Sequence, residues 1–393
     1  MKKGAITAIG EMAAHTGAAF CPHLESVMVV LQKAANNWHP LIKTEVADAM
    51  PNLVIPSIAA YHNGEIKWTK GDLGGANPMS QHTNTIVTAV LTELITMMKD
   101  EDSSTAAKAC EGVQSVIELC GPHALMPVAQ ECMGGAHDMV TKNAPCQQSE
   151  EFYGEELGDD DDDHDIVTQA ACDLIGAFGR VMGAQFAQYL PQFLPPIMEF
   201  AKSSRPARDR SMALGWLSEV AQELEGAIFE HWANVFLPAV LAGLADPSED
   251  VKRNAVFCAG VCCEGLKEQI ASAYPQLLQA IEPLFHIDAT KGESAAACVD
   301  NAAAAVARMI MAGPNHLPMN QVLPALLKLL PLKTDMTENE TVYTCVLGLL
   351  QMNHPDALAQ KEEFRRIFTQ AVSDGSKVDD ETKEKLKQAL AAF

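Results

Sequence analysis

At 393 residues, 48% of them hydrophobic, the chain carries enough apolar surface for a large buried core. Aromatics make up only 6%, helix formers abound, and no long run alternates as a half-buried strand does, which excludes a β-rich fold. A formal charge of −23, from 51 acidic against 28 basic residues, excludes a binder of nucleic acid or anionic membrane and favours basic protein segments as partners.

The chain opens on Lys2–Ala19, read as a helix with Ala5, Ile6, Ile9, Met12 and Ala13 on one face. Glu11 and His15 interrupt it too early for a signal peptide, so the chain is expected to begin inside a repeat, as a piece of a longer protein. No stretch reads as a membrane span. Helix pairs are expected at about 20–60, 79–120, 124–183, 184–226, 227–269, 270–313, 318–355 and 357–393. Residues 61–78 form a Gly-rich loop between two of these units. Residues 149–165, with Glu155, Glu156, Asp159, Asp160, Asp161, Asp162 and Asp163, form an acidic loop inside one unit. That run lacks the alternating ligands and central glycine of a calcium loop, so it reads as a solvated charge run.

The repeat is clearest in the second half. Tyr189, Leu190, Phe193, Leu194, Ile197 and Met198 make a first apolar stripe, and Ala213, Leu217, Val220, Ala221 and Leu224 make a second. An early proline marks successive first helices at 191, 238, 275 and 324, and a small residue marks the second helices at Gly215, Gly260, Ala304 or Ala305, and Gly348. Gly215 and Gly260 are 45 residues apart, and Pro191 and Pro238 are 47 apart. This matches the roughly 40–47-residue period of HEAT and armadillo arrays, in which each helix pair buries its apolar face only by stacking on the next. The expected fold is all-α, a right-handed superhelical solenoid (α-α superhelix) of about eight to nine HEAT units in one continuous array, 1–393.

Chemistry is hard to find. No Walker sequence, H-E-x-x-H or G-x-S-x-G occurs, and the twelve histidines are dispersed, so neither an enzyme nor a metal or cofactor is expected. The eleven cysteines form no C-x-x-C pair and sit among core residues, which reads as small hydrophobes in a reducing compartment.

Aligning second helices on their small residue brings short polar side chains to one position: Asp209, Asn254 and Asn301, with Asp300 beside the last. Asp209 alone fits a first-turn residue better. With Trp216, Glu293 and Tyr343 the set offers carboxylates, amides and aromatic faces suited to a lysine ammonium, although Trp216 equally suits a core.

The HEAT-like units, the acidic loop inside one unit, and the phrases Tyr-Leu-Pro-Gln-Phe-Leu-Pro-Pro and Val-Lys-Arg-Asn-Ala-Val-Phe-Cys-Ala-Gly resemble the karyopherin-beta, or importin-beta, nuclear transport receptors. The segment Gly-Ala-Ile-Thr-Ala-Ile-Gly-Glu-Met-Ala-Ala-His-Thr-Gly-Ala-Ala-Phe is similar to the importin-four branch and its fungal members. The resemblance covers essentially the whole chain as the carboxy-terminal part of a receptor. It implies cargo import through nuclear pores, shuttling between cytoplasm and nucleus, and basic cargo such as histones H3 and H4 or ribosomal proteins. It also implies contact with nucleoporins, and release by Ran-GTP mainly through amino-terminal repeats outside this chain. The rival expectation is a HEAT scaffold subunit of a stable cytosolic complex.

Overall fold

The computed structural model describes residues 2–148, 161–373 and 377–391, with side chains from 3–148, 166–373 and 377–391. No strand occurs among them. The chain divides into two compact units, Met1–Ile197 and Met198–Phe393, where the sequence suggests a single array.

In unit 1 the helices are α1 (Lys2–Thr16), α2 (Leu24–Ala35), α3 (Pro40–Ala49), α4 (Val54–Tyr61), α5 (Gln81–Met97), α6 (Ser103–Cys120), α7 (Ala129–Val140) and α8 (Asp161–Met182). Helix α9 (Leu190–Phe200) runs through the division. Unit 2 has α10 (Ala207–Leu224), α11 (Leu237–Leu244), α12 (Glu249–Leu266), α13 (Tyr274–Ile281), α14 (Glu293–Ala312), α15 (Met319–Leu329), α16 (Asn339–Gln351), α17 (Lys361–Ala371) and α18 (Asp380–Ala391).

Starts and breaks follow local chemistry. The Ser80 and Asp102 side chains accept from the Thr83 and Thr105 amides and so cap α5 and α6. Pro51, which cannot donate, stands in the tighter turn between α3 and α4.

Within each unit the second helix of every pair packs on the second helix of the next. The series is α1, α3, α6 and α8 in unit 1, and α10, α12, α14 and α16 in unit 2. The small-residue alignment holds at one contact: a Cβ on Gly260 would lie 2.8 Å from the Ala305 Cα, so only glycine lets these two helices approach. First helices cover the other side, and apolar side chains such as Phe178, Phe193, Phe236 and Leu217 are fully buried. Each such side chain contributes roughly 1.5–3 kcal/mol. On α1, Ile6 and Ala13 are buried as expected, whereas Ala5 and Met12 are exposed.

Two stretches correct the expectation of no span-like segment. Ala207–Leu244 and Glu293–Ala312 each hold a window of mean hydropathy 1.3, but 89% of the second window is buried, which makes α14 a core helix. Between Ala295 and Ile310 its run of alanines leaves only Asp300, Asn301 and Arg308 polar.

Five of the eight second helices also end alike. The residue after α1, α6, α8, α10 and α12 has a positive φ: Gly17 (56°), Gly121 (77°), Gly183 (56°), Glu225 (49°) and Lys267 (50°). A left-handed residue turns the chain sharply out of one pair and into the next.

Candidate peptide-binding face

In unit 1 the second helices bring charged groups from adjacent pairs together. The Lys108 ammonium on α6 lies 2.6 Å from Glu111 and 3.5 Å from Asp48 of α3. Its bond to Glu111 raises its pKa. Beside it opens a cleft of about 250 Å³, lined by Asn52, Ile55, Ser115 and Leu119 among others. One helix further on, Arg180 of α8 bonds Glu118 of α6 at 2.6 Å. Burial pushes the Asp173 carboxyl upward, opposed by its bond to Gln169 and by Arg180, and helped by Glu111. Carboxylates, an amide and a hydroxyl thus border a floor of aliphatic carbon, which suits the stem and head of a basic side chain.

Unit 2 holds the residues singled out from sequence, and most of them serve the fold. Asp209 is buried in the first turn of α10 and bonds Arg205 at 2.8 Å, the first-turn role already favoured for it. Trp216 is 3% exposed and Tyr343 fully buried; neither the indole Nε1 nor the phenol finds a hydrogen-bond acceptor. Burial raises the Tyr343 pKa to about 12.

Asp300 and Asn301 of α14 correct the pocket expectation most clearly, for they are 1% and 4% exposed. Asp300 Oδ2 accepts from the amides of Lys333, Thr334 and Asp335, at 3.0, 2.6 and 2.9 Å. Asn301 Nδ2 donates to the Ala297 carbonyl and to Asp335, both at 2.9 Å. The segment before α16 therefore lies over this part of α14. Two turns on, Arg308 bonds Glu338 at 2.8 Å and Glu264 at 3.2 Å, with its guanidinium 5.1 Å from the Phe257 ring centroid.

Asn254 is half-buried; its Nδ2 donates to the Ser211 carbonyl at 2.8 Å and to the Ser211 hydroxyl at 3.0 Å, which ties α12 to α10. Its amide oxygen is left over as an acceptor. Glu293 is exposed at the start of α14. So Asn254 and Glu293 stay available, while Asp209, Trp216, Asp300, Asn301 and Tyr343 are occupied by their own fold.

Of the acidic segment, Glu155, Glu156, Asp159 and Asp160 lie outside the described residues. Helix α8 begins at Asp161, so Asp161, Asp162 and Asp163 stand in its first turn rather than in a loop. All eleven cysteines are free, and all but Cys21 are buried. Among the described residues no group of three or more His, Cys, Asp or Glu side chains could hold a metal ion.

What sequence reasoning missed was Lys108 with Asp48 and Glu111. The (i, i+3) spacing of Lys108 and Glu111 was the available signal, since such residues neighbour each other on a helix.

No family model matches the chain. It is 24% identical over 410 residues to a probable importin subunit beta-4 of Schizosaccharomyces pombe, across 98% of this chain and 36% of the relative. It is 26% identical over 388 residues to human importin-4, across 98% of this chain and 34% of the relative. The chain is thus similar to importins along almost its whole length. It spans about a third of the length of the curated relatives it matches.

Solved karyopherins share its fold. Kap121p bound to the extreme carboxy-terminus of the protein phosphatase Cdc14p matches with a TM-score of 0.75 at 15% identity, over 100% of this chain and 34% of that one. Kap121p bound to RanGTP matches at 0.73, also at 15% identity, over 100% of this chain and 34% of that one. The fold of this chain is thus the HEAT-repeat solenoid of those structures.

Proposed function

We propose that this chain is the part of a nuclear import receptor that grips lysine-rich cargo, such as histone H3 and H4 tails or ribosomal proteins, on the free faces of its second helices. One observation carries the reading. In unit 1 the chain's own Lys108 sits between carboxylates of two adjacent second helices, beside a cleft with polar walls and an aliphatic floor. The charge of −23 extends the same attraction over the whole surface. In unit 2 the matching candidates are Asn254, through its remaining amide oxygen, and Glu293. The protein would shuttle between cytoplasm and nucleus. Kap121p has been solved with RanGTP and with the nucleoporin Nup53p; by analogy Ran and nucleoporins are partners here, with Ran acting mainly through repeats beyond this chain.

Titration calorimetry with a lysine-rich peptide and its fully acetylated twin tests this. The unmodified peptide should bind at least about tenfold more tightly, and its binding should weaken as salt rises. Asp48→Asn with Glu111→Gln should weaken binding further than Asn254→Ala with Glu293→Gln. Equal affinity for the two peptides would sink the proposal.

A further inference from the structure

We infer that residues 61–78 form a brace that holds the second helices α6 and α8 in a fixed setting. The segment has only to join α4 to α5, yet it travels further. Its ends are drawn together where His62 Nε2 accepts from the Ser80 amide at 3.2 Å. Between them Ile66 is buried, and the Trp68 ring lies on Gly121, the residue by which the chain leaves α6. A Cβ there would meet the ring Cγ at 2.3 Å. The aliphatic part of Lys70 covers Gly183, the exit from α8, where a Cβ would meet Cγ at 3.2 Å. The Gly71 amide donates to the Val181 carbonyl at 2.9 Å, and the Gln185 side chain donates to the Gly71 carbonyl. His123 donates to the Gly75 carbonyl at 2.9 Å.

The physical consequence follows from where these anchors fall. The last carbonyls of a helix lack partners within it, and here a foreign amide satisfies one of them. Each exit turns on a single left-handed glycine, so it is the natural place for neighbouring pairs to swing. A segment fastened to both exits must let go before α6 and α8 can move apart. Arg180 with Glu118 ties the two helices directly near the same ends; the 61–78 segment adds a fastening that crosses both exit glycines.

Hydrogen exchange by mass spectrometry, with no ligand present, tests the brace independently of the cargo reading. Trp68→Ala removes the ring that lies on Gly121. A brace predicts about tenfold faster exchange or more in 117–125 and also in 179–189, the exit whose glycine Lys70 covers. The unit 2 exits, 222–229 and 264–271, should stay unchanged. Acceleration confined to 117–125, equal acceleration at all four exits, or none, would overturn the inference. If Trp68→Ala fails to fold, Gln185→Ala serves in reverse: it loosens the α8 anchor, and faster exchange in 117–125 is the expected result. Unchanged exchange there would equally overturn the brace.

Discussion

The two units leave their second helices by the same backbone turn but with different residues. Unit 1 uses Gly121 and Gly183; unit 2 uses Glu225 and Lys267 at nearly the same φ. An L-residue in that sparsely populated conformation costs roughly 1–3 kcal/mol, so unit 2 shows that the turn tolerates the strain. Glycine in unit 1 answers a second demand. Trp68 and Lys70 lie directly on Gly121 and Gly183, and a side chain would collide with them. Unit 2 has no such crossing segment at Glu225 and Lys267 among the described residues; its fastening is polar instead, through Arg210 with Asp246, Asn254 with Ser211, and Asp300 with three backbone amides.

The contrast is sharpest where unit 2's polar fastening is densest. Asp300→Ala removes the acceptor shared by three backbone amides of 333–335, and should lower the stability of unit 2 by about 3–4 kcal/mol in denaturant titration. A loss under about 1 kcal/mol would mean that solvent readily replaces the carboxylate. In unit 1, Gly121→Ala adds a collision to a backbone strain, and about 2–3 kcal/mol should be lost.

How far the sequence foretold this differs by level. The repeat was legible because Gly215, Gly260 and the prolines recur at the helix-pair period, which depends only on stacking. The alignment of Gly260 with Ala305 held because close packing needs small residues on both sides. The lysine pocket was misread because availability depends on what other segments cover. Asp300 and Asn301 do recur at the right helix position, but 333–335 lies over them. A signal was present: from Ala295 to Ile310 every side chain but Asp300, Asn301 and Arg308 is apolar, and a helix apolar nearly all round is buried nearly all round. The path of 61–78 across two exits was not legible, since loop composition says nothing of what a loop lands on.

Acid should separate the units more gently. Arg210, then the Ser248 amide and nearby cations, holds the Asp246 carboxyl below its usual value against the opposing effect of burial. Its contribution is therefore complete above the unfolded pKa of about 3.9 and disappears as pH falls through the lower folded value. Asp246→Asn should cost about 1–2 kcal/mol at neutral pH and flatten the decline of unit 2 below about pH 4, followed by circular dichroism. An unchanged acid profile would assign the decline to other carboxylates. The smallest effect runs the other way. Glu225→Gly and Lys267→Gly relieve strain, and each should stabilise by about 0.5–1 kcal/mol once the added freedom of the unfolded chain is counted. Destabilisation by both would show that these side chains hold the exits by contact.

Lys108 carries a consequence for any lysine that arrives from outside. The gap between Asp48 and Glu111 already holds an ammonium group. A visiting lysine entering it makes a substitution: one cation steps out as another steps in, and the local charge is the same before and after. Such a hand-over is nearly level in Coulomb energy. Retention would then rest on the number of places exchanged along a partner and not on the depth of any one, and departure could proceed a tooth at a time, as a zip fastener opens from its end.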